Sequence, residues 1–232
     1  MTMRRRDLVL GGAVAMAVRQ GDLDRACELV EAATRSGDVW SAALEVRQGA
    51  FRLARAFGKA SGPETAFLLA SITKPMTVAG VMVLVDRGQV RLDDPVRRHI
   101  REFAGGDREF VTVRHLLTHT SGLPDMLPEN IELRKRHARL PAFVAGACRT
   151  PLLFKPGAEV RYQSMGTLLA SEIAQRVSRM PFRDFLREHV WMPLGMRQTS
   201  LGLGGRAIAQ TALCVLAIKK QSEDCLLNRI NC

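Results

Sequence analysis

Residues 71–86 restrict the fold of this chain more than any other segment, because the run is strongly apolar and ends at Arg87-Gly88. A helix that is apolar all round lies in the interior of a protein, whereas a surface helix keeps a polar face. The run therefore predicts a buried helix with other elements packed around it. The chain can supply them, since 47% of its 232 residues are hydrophobic and 25% are charged, as in globular proteins.

The hydrophobic period changes along the rest of the chain, which indicates both helices and strands. Apolar residues recur at helical spacing before Gly37, and two short runs joined by Gln48-Gly49-Ala50 predict a hairpin. The basic stretch 134–140 and the segment 119–124, which contains Ser, Gly and Pro, are interpreted as loops. The predicted elements are helices over 22–36, 71–86, 167–177 and 182–189 and strands over 41–47 and 51–57.

The distribution of charge and the spacing of the cysteines argue against a nucleic acid partner and a metal site. The formal net charge is +11, but only six of the 34 basic residues are lysines, and the arginines are scattered without a long run. No nucleic-acid-binding motif accompanies this charge, so we expect no nucleic acid partner. The five cysteines contain no CxxC pair and form no Cys/His cluster at ligand spacing, so no metal site is predicted.

Both ends of the chain differ in composition from the part between them. Arg4-Arg5-Arg6, a short apolar stretch and an Ala-x-Ala site are typical of a twin-arginine-like secretory signal, which predicts export to the periplasm. The alternative is the first turns of a helix in a cytoplasmic protein. After Gly205 an apolar run over 207–218 leads into a polar tail, and this end holds three of the five cysteines. We therefore divide the chain into a signal segment (1–17), a domain (18–205) and an atypical tail (206–232).

A Ser-x-x-Lys motif, Ser71 to Lys74, opens the apolar run. Positions three apart share one face of a helix, so the Ser71 hydroxyl and the Lys74 amine can come within hydrogen-bonding distance. A serine hydroxyl becomes a nucleophile when a base takes its proton, and burial beside a helix N-terminus can lower a lysine pKa enough for that role. The apolar neighbours Phe67, Leu68, Leu69 and Met76 favour such burial. The alternative is a helix-capping serine followed by a surface lysine.

Tyr162 is the only tyrosine in the chain and begins the segment Tyr162-Gln163-Ser164. A phenol beside a Ser/Lys pair can relay a proton to a leaving group, and the lysine can keep it poised as phenolate or as hydrogen-bond donor. The alternative is an aromatic side chain that packs where a loop enters a helix. Tyr162 therefore joins Ser71 and Lys74 as a candidate catalytic residue.

Four motifs together carry a resemblance to a known family. They are Ser71-x-x-Lys74, Leu116-Leu117-Thr118-His119-Thr120-Ser121-Gly122-Leu123, the stretch from Pro156-Gly157 to Tyr162, and Pro193-Leu194-Gly195-Met196. In this order and spacing they resemble the serine beta-lactamase-related family, which includes class C beta-lactamases, D-alanyl-D-alanine carboxypeptidases and esterases. The resemblance extends from about residue 22 to about residue 205.

The resemblance implies an α+β, beta-lactamase/transpeptidase-like fold: an antiparallel sheet flanked by helices, plus an all-helical lobe. Residues 41–57 would supply the first strand pair, and the C-terminal sheet strands are missing, so the domain 18–205 is partial. The family's mechanism implies that Ser71 attacks a carbonyl and that Lys74 and Tyr162 act as base and proton relay. Which of the two is the general base stays open. The implied substrate is a small-molecule ester, beta-lactam or peptide, and no metal or organic cofactor is implied.

The sequence departs from the family pattern at two places. Ser164 stands where the family's Tyr-x-Asn motif has an asparagine that contacts the substrate, and a hydroxyl has fewer donors, which favours an ester. No Lys-Thr-Gly or His-x-Gly motif follows Tyr162, and a missing oxyanion-hole donor can lower the rate about 10²- to 10³-fold. The tail is interpreted as a premature or frame-shifted ending. The alternative function is accordingly a catalytically inactive remnant or a binder of peptidoglycan-like ligands.

Overall fold

The computed structural model describes residues 19–207 and 211–212 of the chain. These residues form two compact units: an N-terminal unit, which ends at Leu68 and includes the described residues after Arg206, and a central unit, Leu69–Arg206. The predicted signal segment 1–17 and most of the tail 206–232 lie outside the described residues. None of the helices within these ranges is both long and apolar enough to span a membrane.

The secondary structure is α+β, with the paired strands in the N-terminal unit and a mainly helical central unit. The helices are α1 Gln20–Arg35, α2 Thr73–Asp86, α3 Val113–Leu117, α4 Asn130–Lys135, α5 Leu140–Arg149, α6 Ser164–Ser178 and α7 Phe182–Leu186. The strands are β1 Ser41–Gln48 and β2 Phe51–Gly58. Short 3-10 turns span Ala70–Ile72, Val96–Arg98 and Gly106–Phe110, and a π-helical turn spans Arg187–Trp191.

The N-terminal unit confirms the predicted helix and hairpin. Helix α1 buries Leu23 and contacts both strands. It ends just before Gly37, whose φ of +83° suits a glycine better than any other residue. Strands β1 and β2 are antiparallel, with Ser41 opposite Gly58, and close over a two-residue turn. The change of hydrophobic period after α1 therefore correctly predicts the two strands.

Helix α2 packs against α6 and α7 inside the central unit. Leu84 is completely buried, and Gly80 lets α7 approach closely, since a Cβ there would lie 2.6 Å from Cδ2 of Leu186. These contacts confirm a helix that packs into the core, but only one side of it is buried, since Met82 is exposed. The α-helical geometry begins at Thr73 rather than at residue 71, because residues Ala70–Ile72 form a 3-10 turn.

One apolar core fills the central unit, and helices and the loops between them contribute to it. Its largest fully buried apolar side chains are Trp191, Phe103, Phe185, Leu84, Ile100, Leu116, Leu123, Leu169, Ile173, Leu186 and Val81. Because close-packed interiors resist displacement, this core fixes the start of α2 relative to the start of α6.

The interpretation of residues 134–140 as a loop is wrong at both ends. Arg134 and Lys135 belong to the last turn of α4, and Leu140 begins α5. Each of these helices buries only a few side chains, such as Leu133 and Val144, so the apolar repeat is too short to reveal a helical period. The short helices α3 and α4 escape sequence-based detection for this reason.

Candidate active site

Ser71 lies in the 3-10 turn Ala70–Ile72 that leads into α2, and its side chain is exposed. The preceding residue, Ala70, has a left-handed backbone with a φ of +46°, which an alanine adopts only at a conformational cost of roughly 1–2 kcal/mol. Strained backbone of this kind concentrates at functional sites. The turn is therefore held by its surroundings in a conformation that its own sequence does not favour.

Lys74 follows on the first turn of α2, and its Nζ lies 3.2 Å from Oγ of Ser71. The predicted approach of the two side chains is confirmed, although Ser71 precedes α2 instead of lying on one of its faces. The expectation that apolar neighbours enclose this end of the helix is wrong at Phe67 and Leu68, which are exposed, as is Ser71 itself. Lys74 itself is half-buried, and Met76 packs against the core.

Tyr162 is brought to Ser71 by the segment that enters α6. Its hydroxyl donates a 2.7 Å hydrogen bond to Oγ of Ser71, and Nζ of Lys74 lies 4.6 Å from the centroid of its ring. Hydrogen bonding with Lys74, then with Ser71, holds the pKa of the Tyr162 phenol below its ordinary value, while the Asp125 carboxylate acts in the opposite direction. The three candidate catalytic side chains thus meet at one oxygen atom.

In this arrangement Ser71 can exchange a proton with either Lys74 or Tyr162. Oγ of Ser71 accepts a hydrogen bond from Lys74 at 3.2 Å and from Tyr162 at 2.7 Å. A general base must lie within about 2.6–3.2 Å of the group it deprotonates, and both partners satisfy that limit. A neutral Lys74 amine or a Tyr162 phenolate could therefore take the Ser71 proton.

Ser164 is the first residue of α6 and is half-buried. Its hydroxyl donates a 2.6 Å hydrogen bond to Oδ1 of Asp125, which comes from the loop after α3. A serine hydroxyl has one proton, so this bond leaves Ser164 only lone pairs for any other partner. The sequence singled out Ser164 but not Asp125, which has no local pattern of its own.

His119 and Ser121, in the loop after α3, contact the segment Tyr162-Gln163-Ser164, which is called the tyrosine segment below. The sequence alone assigned neither of them a part in the site. His119 accepts a 3.3 Å hydrogen bond on Nδ1 from the backbone N–H of Gln163, and its ring lies 5.0 Å from that of Tyr162. The side chain of Gln163 is completely buried and accepts a 2.6 Å bond from Oγ of Ser121. The family loop around His119 was the only signal that pointed to these contacts.

Within residues 19–207 and 211–212, no group of three or more His, Cys, Asp or Glu side chains lies close enough together to hold a metal ion. Two other histidines, His115 and His99, have structural partners. His115 forms a reciprocal cap with Thr112 at the start of α3, and burial lowers its pKa. His99 bonds the buried carboxylate of Asp94 at 3.2 Å. Asp94 also accepts a hydrogen bond from the Arg91 backbone N–H.

The fold and the Ser/Lys/Tyr cluster agree with a family assignment. The chain belongs to the Beta-lactamase family, since the family model of that description matches residues 28–219, well over half of the chain. The beta-lactamase/transpeptidase-like fold expected from the sequence is confirmed by solved structures. D-amino acid amidase from Ochrobactrum anthropi SV3, complexed with L-phenylalanine amide, aligns with a TM-score of 0.70 and 26% identity. The alignment covers 82% of this chain and 55% of the amidase.

Two curated relatives share part of their sequence with this chain. Esterase EstB of Burkholderia gladioli is 34% identical over 158 residues, which cover 62% of this chain and 40% of the esterase. Protein flp of Staphylococcus aureus (strain MW2) is 29% identical over 143 residues, which cover 60% of this chain and 29% of that protein. The chain therefore spans less than half the length of either relative.

Proposed function

We propose that this protein is a serine hydrolase that works through an acyl-enzyme, with Ser71 as nucleophile and Lys74 and Tyr162 as its activating pair. The observation that carries the proposal is the convergence of the Lys74 amine and the Tyr162 hydroxyl on Oγ of Ser71, at 3.2 and 2.7 Å. A surface serine without such partners is inert at neutral pH, because nothing takes its proton. Membership of the Beta-lactamase family supports the same reading.

The proposed reaction has two halves that mirror each other. Ser71 Oγ forms a bond to the substrate carbonyl carbon while its proton passes to Lys74 or Tyr162. The tetrahedral intermediate then breaks the bond to the leaving group, which takes that proton and departs, leaving an ester on Ser71. A water molecule attacks this ester, gives a proton to the same base, and the proton returns to Ser71 as the acid product leaves.

The substrate that we propose is an ester, with amides and beta-lactams as weaker alternatives. The only proton of the Ser164 hydroxyl is donated to Asp125, so Ser164 cannot donate to the additional amide carbonyl that a peptide-like or beta-lactam substrate carries beside the reacting bond, whereas a simple ester has no such group to satisfy. We assign Ser164 a substrate-binding role as an acceptor only, for a donor that the ester carries away from the reacting bond. The named activities of two similar proteins, an esterase and a D-amino acid amidase, are both acyl transfers to water and are compatible with this choice.

Covalent labelling tests the proposal directly. The purified chain is incubated with a fluorescent fluorophosphonate ester and, separately, with a fluorescent penicillin. We expect the ester probe to label the wild type and the Ser36→Ala control, in which an exposed serine at the end of α1 is replaced. Labelling should disappear in Ser71→Ala. An unlabelled but folded wild type would overturn the proposal and favour a protein that binds without turnover.

A further inference from the structure

His119 contacts the backbone of the residue before Tyr162 and of the residue after it. Its carbonyl oxygen accepts a 2.9 Å hydrogen bond from the backbone N–H of Arg161, and its Nδ1 accepts a 3.3 Å bond from the backbone N–H of Gln163. One residue thereby fixes both chain neighbours of the phenol. The imidazole ring is tilted by 37° against the phenol ring, with the centroids 5.0 Å apart.

The loop that contains His119 is also hydrogen-bonded to the stretch of chain that leads to Tyr162. The N–H of Gly157 donates to the carbonyl of Thr120 at 2.8 Å, and the N–H of Leu153 donates to that of Gly122 at 2.7 Å. Buried Gln163 adds a side-chain bond with Ser121. A network that is anchored at several points can hold a ring in place, whereas a single exposed contact would exchange with water.

His119 has a backbone conformation that few residues with a side chain adopt. Its φ of +60° lies in the left-handed region, where His, Asn and Asp are enriched among residues with a side chain. In this conformation the backbone carbonyl reaches Arg161 while the ring reaches Gln163 and Tyr162. Tyr162 needs such support, because half of its surface is exposed to solvent.

We infer that His119 is a positioning residue for Tyr162: by binding Arg161 and Gln163 and by packing on the phenol ring, it keeps the Tyr162 hydroxyl at Oγ of Ser71. The catalytic consequence of this inference rests on the proposed function, but the positioning itself does not. A small displacement of a catalytic group has a large effect, since a misplacement of about 1 Å can lower a rate about 10²-fold.

The test uses the fact that Tyr162 is the only tyrosine. The ultraviolet absorbance of phenolate therefore reports Tyr162 alone, and it can be titrated in a protein with no activity. In His119→Ala we expect the titration to move to higher pH, because the phenol leaves Lys74 and Ser71. The rate at which the fluorophosphonate probe labels Ser71, with fluoride as the leaving group, should fall about 10- to 100-fold.

A second histidine provides the matched control. His137 also has a left-handed backbone, with a φ of +53°, but lies exposed after α4. His137→Ala should leave both the tyrosine titration and the labelling rate as in the wild type. His119→Asn keeps a residue that tolerates this backbone and offers an oxygen to the Gln163 N–H, so it should recover part of both properties.

An unchanged tyrosine titration in folded His119→Ala would overturn the inference. If that variant does not fold, His119→Asn carries the test, and a wild-type titration and rate there would overturn the role of the ring. Failure of the proposed function has a different signature, because an unreactive wild type would still show a Tyr162 titration that responds to His119.

Discussion

At the scale of single residues, the centre of the site is one serine oxygen with two hydrogen-bond partners. Lys74 and Tyr162 both contact Oγ of Ser71, and the lysine amine also lies against the phenol ring. Replacing Lys74 therefore removes two contacts at once, one with the serine and one with the tyrosine.

Replacing Lys74 should raise the pKa of Tyr162. The Lys74 interaction is the largest of the effects that lower this pKa, so in Lys74→Met the phenolate band should appear at higher pH than in the wild type. Absorbance titration of the two proteins measures the shift. Lys59→Met is a suitable control, because Lys59 lies over the ring of Trp40 in the N-terminal unit. Coincident curves for Lys74→Met and the wild type would contradict the prediction.

Removing the Tyr162 hydroxyl should affect reaction and not folding. Tyr162→Phe keeps the half-exposed ring but loses the bond to Ser71, so we expect a melting temperature close to that of the wild type. The rate at which the probe labels Ser71 should fall about 10²- to 10⁴-fold, the range that general acid–base groups contribute. Time-resolved labelling with the ester probe measures it. A rate within threefold of the wild type would remove Tyr162 from the mechanism.

At the scale of secondary-structure elements, the site depends on where α2 and α6 begin. Ser71 and Lys74 occupy the turn that starts α2, and Tyr162 precedes Gln163, the N-cap of α6. The buried faces of the two helices pack together in the core. The distance between Ser71 and Tyr162 is thus set by helix packing as much as by the side chains that meet there.

The loop after α3 should be intolerant of a side chain at Gly122. This residue has a φ of +82°, and a Cβ would collide with the backbone carbonyl of Phe154, which cannot rotate away. We expect Gly122→Ala to lower the free energy of unfolding by more than the roughly 1–2 kcal/mol of left-handed strain alone. Urea unfolding measures it.

Gly88→Ala separates strain from collision. Gly88 also has a left-handed backbone, with a φ of +68°, but no atom lies within 4 Å of an added Cβ. This variant should therefore lose only the conformational part. Equal losses in the two variants would show that the close approach of Phe154 to Gly122 is not maintained in solution.

Residues close in sequence were predictable, and residues joined by tertiary packing were not. The Ser71–Lys74 contact follows from helical periodicity, since the two positions are three apart. Tyr162 lies 91 residues from Ser71, and only the resemblance to a family linked them. The bond between Gln163 and His119 joins positions 44 apart and has no periodic signal. Short helices such as α4 were likewise invisible to hydrophobic spacing.

At the scale of the whole molecule, the central unit contains both the apolar core and the contacts described above for the candidate site. The hydrogen bonds of Ser71, Lys74, Tyr162 and His119 all join residues of this unit. Loss of core packing would therefore separate these side chains even if each of them were unaltered. A measurement of whether the core is packed therefore also reports whether these side chains are held together.

Cys148 should report whether the core is packed. It is buried on α5, and burial raises the pKa of its thiol to about 11, so at pH 8 only about one thiol in a thousand is ionised and reactive. We expect slow alkylation by iodoacetamide in the native protein and rapid alkylation in urea. Cys27, half-buried on α1, should react faster in the native protein. Peptide mass spectrometry distinguishes the two, and equal native rates would contradict a packed central core.

The left-handed alanine before the nucleophile has a consequence for anyone who engineers this protein. Ala70→Gly would relieve the backbone strain, yet it would also free the turn to sample other shapes, so the serine would spend less time facing its partners. Ala70→Gly should thus raise the heat resistance of the protein and lower its turnover. A screen that selects only for survival of heating would tend to discard the alanine, and with it the alignment of the reactive oxygen.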